Sequence, residues 1–512
     1  MNRTRLLVGS ILTVAALGAS AEFRLADPFA DGAVLQRGAA VPVWGTAEPG
    51  RKVCAAFGEA CVTTEVGADG RWMLKLPSMD MCREGRTLTV RELEPGFFFD
   101  TVTAETAVSD VLVGDVWFVS GQSNTEFPLC GENPHFSDRN GAAIASITRL
   151  PLVRFCRQSD YKCAEEPKTR AALPVKWLAM TSENLLANNC FSAIGLYFAM
   201  YVHQATGVPL GLVGAYWGGT GIDPWTPREG TLSRPDLKDV AAWKSSLTWD
   251  GKTPKSIFRS GRVQDQPAVL WNEMVAPWCP YAMKGLLWYQ GCTDSRQPER
   301  YCSKMHALYN GWSQKFENPD MKLYFVQLAP WGFADIARMQ EAQSDFDREN
   351  ANAGMAVIND LGNLTDIHPN EKGTVGLRLA RMALKRDYGF TDIEDCSPTL
   401  KSARVEGDRF VLTFDHAKRL YIYNRDFSTV SPFEVAGADG VYKPAKIVNM
   451  VPRMRPNGKP EYRGQIKGEG LLEVKAEGVD NPVSLRYCHS SPWLGTVYNE
   501  ANLPLGAFHC TR

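Results

Sequence analysis

At 512 residues the chain is too long for one ordinary core, and at 44% hydrophobic and 22% charged it has the composition of a folded protein, not a disordered one. Its 56 Lys and Arg against 57 Asp and Glu leave a net charge of −1. With no basic stripe visible, nucleic acid and anionic membrane are poor partners on electrostatic grounds.

The first 21 residues read as a targeting segment. Arg3 and Arg5 precede an apolar run from Leu6 to Leu17, and Ala19-Ser20-Ala21 fits a small-residue cleavage site. The expectation is an exported protein, periplasmic or secreted, whose mature chain begins near Glu22. The run is too short to span a bilayer and no other run is long enough, so no membrane span is expected. Export permits disulfides, and among the 13 cysteines Cys54/Cys61 and Cys156/Cys163 each close a short loop. No Cys-x-x-Cys occurs, which leaves a zinc ribbon or thioredoxin site with little support.

Residues 22–108 are predicted to form an N-terminal β-sandwich. "AVPVWGTAEPG" and "DGRWMLKLP" alternate apolar and polar residues between Gly and Pro, and "RTLTVRELEPG" continues the pattern. Across 109–390 the texture changes. "DVWFVSG" (115–121), "VPLGLVGAYWGG" (208–219), "MKGLLWYQG" (283–291), "MKLYFVQLAP" (321–330) and "AGMAVINDLG" (353–362) are continuous apolar runs ending in Gly or Pro. Strands of that kind are buried on both faces, as in a parallel sheet covered by helices. Helices are expected from Ser192 to Gly207 and from Asn370 to Gly389, the latter burying Leu377, Ala380 and Leu384. The alternation predicts a doubly wound α/β domain. From 391 to 512 "RFVLTFD", "RLYIYN" and "LLEVKAEG" predict a second, C-terminal β-sandwich.

In such a sheet ligands sit outside the carboxyl ends of the strands, and the unusual polar clusters fall there. They are Ser120-Gly121-Gln122-Ser123-Asn124, Trp217-Gly218-Gly219-Thr220-Gly221, Gln290-Gly291-Cys292-Thr293-Asp294 and Asp366-Ile367-His368-Pro369. A serine needs a base to become a nucleophile. Of seven histidines, only His368 follows a sheet strand in a loop pinned by proline. Asp366 is the nearest carboxylate to orient it, with Asp360 the alternative. The backbone N–H of Ser123 and of Gly219 are candidate oxyanion donors. Gly121-Gln122-Ser123-Asn124-Thr125 is not the Gly-x-Ser-x-Gly elbow of α/β-hydrolases.

Together the four blocks resemble the SGNH (GDSL-like) hydrolases and, more narrowly, the sialate O-acetylesterase family of carbohydrate esterases. The matching blocks are Gly121-Gln122-Ser123-Asn124, Trp217-Gly218-Gly219-Thr220 followed by Trp225, Trp288-Tyr289-Gln290-Gly291 and Asp366-Ile367-His368-Pro369. The resemblance implies a flavodoxin-like SGNH hydrolase domain with a parallel sheet. It implies Ser123 as nucleophile, His368 as base, Asp366 as orienting acid, and an acyl-enzyme route to deacetylation of a carbohydrate with no metal or cofactor. O-acetylated sialic acid is the first substrate to consider. Acetylated xylan or another acetylated glycan is the second, and a non-catalytic glycan-binding protein on the same scaffold is the competing class.

The third block departs from the family. Related sequences carry Gly-Glu-Ser-Asn there, with the asparagine amide donating to the oxyanion, whereas this chain has Asp294. An ionised carboxylate would repel an oxyanion. Burial would have to protonate it, or it would have to turn away with Gln122 or Gln290 donating, or the enzyme would be slow. Trp217, Trp225, Trp288 and Tyr289 read equally as a sugar platform or as core. Arg338 reads as a carboxylate binder or a solvated helix face. Oligomeric state is open.

Overall fold

The computed structural model describes residues 22–187, 191–243, 262–332, 336–362, 364–423, 432–454, 456, 460–489 and 494–512. The expected targeting segment, residues 1–21, lies outside them. The chain divides into two compact units.

The first unit takes Pro42–Leu76 and Leu88–Ala107 with the residues up to Ala26. Its strands fall in two sheets. Arg24–Leu25, Val41–Thr46 and Arg71–Leu76 pair in that order, and Lys52–Phe57 lies between Ala60–Glu65 and residues 88–93. Arg71–Leu76 alternates strictly, with Trp72, Leu74 and Leu76 buried and the residues between them exposed, as a strand with one wet face must.

The second unit takes Asp27–Val41, Pro77–Thr87 and Val108–Arg512. Its central sheet contains β1 (Thr101–Gly121, from Val108 onward in this unit), β2 (Arg149–Arg157), β3 (Leu178–Thr181), β4 (Leu210–Tyr216), β5 (Gly285–Tyr289), β6 (Lys322–Val326) and β7 (Ala353–Ala356), ordered β3-β2-β4-β1-β5-β6-β7. All neighbours are parallel except β3 on β2, so the sheet is mixed and not purely parallel as expected. The hairpin β2–β3 extends one edge with an antiparallel strand. Residues Val111–Gly121 are buried throughout, as are β4 and β5, which is what apolar runs covered on both faces require.

Helices α1 (Ser123–Glu126), α2 (Ala193–Thr206), α3 (Pro298–Lys315), α4 (Ile336–Glu349) and α5 (Lys372–Asp387) accompany the sheet. Ser192 caps α2, accepting a hydrogen bond from the Gly195 N–H, and Gly207 ends it in the left-handed region at φ 67°. In α5 the buried stripe is Val375, Leu379, Ala380, Ala383 and Leu384, and the expected core position Leu377 is exposed instead. Among the described residues no helix is long and apolar enough to cross a membrane.

The C-terminal β-rich region belongs to this same unit. A seven-stranded and a four-stranded sheet enclose one core, built from Phe410, Leu412, Phe433 and Leu472 on the first and Leu420, Ile466 and Val497 on the second. It is tied to the end of the α/β sheet: the Asn359 amide donates to the Leu505 carbonyl at 2.7 Å. Of the two expected pairs, Cys156 and Cys163 are unbridged, and the Cys54 and Cys61 sulfurs lie 2.8 Å apart.

Candidate active site

The strand β1 runs directly into a turn that only glycine can open. Gly121 has φ 142°, and a Cβ there would stand 2.4 Å from both Thr125 Oγ1 and the Tyr289 carbonyl. Gln122 then caps the single turn α1 in extended geometry, so Ser123 is the first residue of that helical turn. Its N–H therefore has no intrahelical acceptor.

The turn is bolted to the neighbouring β5. Gln122 N–H and Thr125 Oγ1 donate to the Tyr289 carbonyl at 3.2 and 2.9 Å, and Gln122 Oε1 accepts the Gly291 N–H at 3.1 Å. On the other side the Trp217 N–H donates to the Gly121 carbonyl at 3.2 Å. A Cβ placed on Gly218 would lie 3.3 Å from that of Ser123, so the glycine pair passes close beside the serine. Gly218 N–H is spent on Glu126 Oε2 at 2.7 Å, while Gly219 follows at φ 71° with its carbonyl held by Arg262.

His368 completes the centre. Its Nε2 lies 2.9 Å from Ser123 Oγ. Its Nδ1 lies 3.6 Å from Asp366 Oδ1, beyond hydrogen-bond reach, and that same oxygen accepts the His368 N–H at 2.9 Å. The alternative carboxylate, Asp360, is occupied elsewhere: Arg378 grips both its oxygens at 2.7 and 2.8 Å. The imidazole sits beside Phe127 and edge-on to Phe136. Burial, then the nearby Lys372 charge, lower its pKa below the ordinary histidine value against the opposing pull of Asp366. The ring is thus neutral at neutral pH, as a proton acceptor must be.

Asp294 is engaged through both of its oxygens. Its Oδ2 accepts Ile222 N–H at 3.1 Å and Gln290 Nε2 at 2.7 Å, and its Oδ1 faces the Lys304 ammonium at 3.4 Å. Lys304 also holds Asp223 at 2.8 Å, and both side chains of the Lys304–Asp294 pair are almost wholly buried. Burial works against the lysine charge, but the two carboxylates outweigh it and keep its pKa high. The carboxylate therefore meets a buried cation and two N–H donors, and none of these geometries makes it a donor. Gln290 is equally committed, its amide nitrogen serving Asp294 and the Thr220 carbonyl.

Of the aromatic candidates, Trp225, Trp288 and Tyr289 are fully buried and belong to the core. Trp217 is only partly buried and meets Tyr161 edge-on at 5.4 Å. Arg338 is exposed on α4, 3.9 Å from Glu299. Two residues of the centre carry no local sequence signal. Glu126 joins Gly218 to the Tyr161 hydroxyl, and the buried Lys372 donates to Asn124 Oδ1 in the turn that follows Gly121.

Known proteins are similar to this chain over most of its length. Residues 113–385 match the family described as carbohydrate esterase, sialic acid-specific acetylesterase. Human sialate O-acetylesterase is 27% identical over 440 residues, covering 79% of this chain and 78% of the relative. The rat sialate O-acetylesterase is 28% identical over 468 residues, with 82% and 83% covered. The crystal structure of a carbohydrate acetylesterase from Xanthomonas citri superposes with a TM-score of 0.76 at 28% identity, covering 95% of this chain and 99% of that one. The chain therefore belongs to the sialic acid-specific acetylesterase family of carbohydrate esterases and is a carboxylic ester hydrolase.

Proposed function

We propose that this carbohydrate O-acetylesterase is an exported sialate O-acetylesterase that works through a Ser123–His368–Asp366 acyl-enzyme mechanism. The observation that carries the reading is the 2.9 Å contact between His368 Nε2 and Ser123 Oγ at the carboxyl end of β1. The five strands β4-β1-β5-β6-β7 run 2-1-3-4-5 in chain order, which we read as a flavodoxin-like core with its ligand crevice at those strand ends.

In this mechanism His368 Nε2 takes the Ser123 proton as Oγ attacks the acetyl carbonyl. The tetrahedral oxyanion is held by the N–H groups of Ser123 and Gly219. Asp366 favours the imidazolium, which passes the proton to the departing sugar oxygen. Water, deprotonated by the same nitrogen, releases acetate and restores the serine. Asp294, engaged by Lys304, stands outside these steps, so the reason to read the chain as a non-catalytic glycan binder loses its main support.

The test is acetate release by the purified mature chain from O-acetylated sialic acid and acetylated xylan in parallel. Release from the sialic acid that vanishes in Ser123→Ala is expected. Retained activity in Ser123→Ala refutes the nucleophile, and release from xylan alone reassigns the substrate.

A further inference from the structure

The Lys372 side chain is wholly buried at the start of α5, and its Nζ donates to Asn124 Oδ1 at 2.5 Å. The Asn124 amide in turn donates to the Ile367 carbonyl at 3.0 Å, one residue before His368. The lysine backbone N–H is fixed as well, donating to Asp138 Oδ2 at 2.9 Å, while Asp138 Oδ1 accepts the Tyr197 hydroxyl. The ammonium lies over the rings of Phe127, at 4.5 Å, and Tyr289, at 5.3 Å. Two of these contacts, Asn124 and Phe127, belong to the chain around the nucleophile, and a third reaches the loop of the base.

We propose that Lys372 is a positioning residue. Through Asn124 it clamps the nucleophile turn to the histidine loop and so sets the Ser123–His368 distance. The inference rests on the assignment of Ser123 and His368 above.

The energetics favour a functional reason for the lysine. A buried ammonium is costly to keep, and burial brings its pKa down to about 7 despite the opposing influence of Asp138, Cys292 and Asp366. Asn124 alone would be satisfied by water or a smaller donor. In the range where His368 titrates, the lysine is still charged and depresses the histidine pKa. Charge and clamp therefore have separate signatures.

The experiment compares Lys372→Met, Asn124→Ala and the double variant with wild type, reading kcat, KM, the pH dependence of kcat/KM and thermal midpoint. Lys372→Met is expected to lower kcat by on the order of 10- to 100-fold, with KM within about twofold. Because the cation depresses the histidine pKa, its removal shifts the acid limb of kcat/KM to higher pH. Asn124→Ala should lose a similar factor without moving that limb, and the double variant should be no slower than the worse single one. A kcat within twofold of wild type in either single variant, or fully additive losses, overturns the clamp. Should Lys372→Met not fold, Asn124→Ala carries the test alone: unchanged kcat overturns the proposal and a loss at constant KM and midpoint upholds it. Ser123→Ala run alongside separates the two ideas, since activity there defeats the underlying assignment whatever Lys372 does.

Discussion

Arg378 holds Asp360 through two parallel hydrogen bonds, 2.7 and 2.8 Å, with both side chains almost wholly buried. A bidentate pair of this kind commits both Asp360 oxygens and leaves Asp366 as the carboxylate facing His368. The two aspartates should fail differently when neutralised. Asp360→Asn strands a buried guanidinium and should cost about 3–5 kcal/mol in urea unfolding. Asp366→Asn should leave unfolding nearly unchanged and lower kcat about 10- to 100-fold, less than in a tightly bonded triad because the Nδ1 contact is long and the carboxylate is partly exposed. Equal stability losses in the two variants would contradict this division.

The pH profile follows from the sign of the His368 shift. Burial and Lys372 push its pKa below 6.5, so the neutral, proton-accepting form dominates to lower pH than in a free histidine. kcat/KM should rise with pH along a single limb whose midpoint lies below 6.5, reaching its plateau by neutrality. A midpoint above 6.5 in a kcat/KM titration would show that the imidazole is stabilised as a cation in the free enzyme.

Restoring the family asparagine at position 294 should not help. Asp294 accepts from Ile222, Gln290 and Lys304, whereas an asparagine has one acceptor oxygen and would aim its own N–H₂ at one of these donors. Asp294→Asn is expected to destabilise the fold by about 1–3 kcal/mol and to lower, not raise, kcat. Denaturant melts and initial rates on the same preparation decide it.

Glu126 fastens the Gly218 N–H beside the serine and also receives the Tyr161 hydroxyl. Glu126→Ala frees the glycine turn that carries one proposed oxyanion donor. A kcat loss of about 10- to 100-fold is expected with KM unchanged. A pure KM effect would place Glu126 in sugar recognition instead.

Much of this architecture was legible because burial on both faces writes itself as an uninterrupted apolar run. β4, β5, β6 and β7 fall inside such runs, as does the buried end of β1 from Asp115 to Gly121, and "RFVLTFD" coincides with Arg409–Asp415. The hairpin β2–β3 did not show. "RLPLVRFCR" carries three arginines and a proline, and its first half is largely exposed, so it lacks both the apolar run and a clean alternation. Leu377 misled because a helix stripe read from spacing has no phase until a neighbour supplies it. The seryl and histidyl positions were visible as polar breaks at strand ends. Lys372 was invisible because everything that buries it is remote in sequence, Asn124 lying 248 residues away. The commitment of Asp294 to Lys304 was hidden for a related reason, since an i,i+10 pair across a loop and a helix has no periodic signature.

The link from Asn359 to Leu505, together with the Tyr498 hydroxyl 3.4 Å from Asp360, gives the C-terminal β region a share in the ground on which the histidine loop stands. Such a region is not an interchangeable appendage. A gene fusion or deletion that trades it for another module would remove a hydroxyl contact from the buried Arg378–Asp360 pair. The piece of chain that keeps these contacts is therefore larger than the stretch that carries the four motifs.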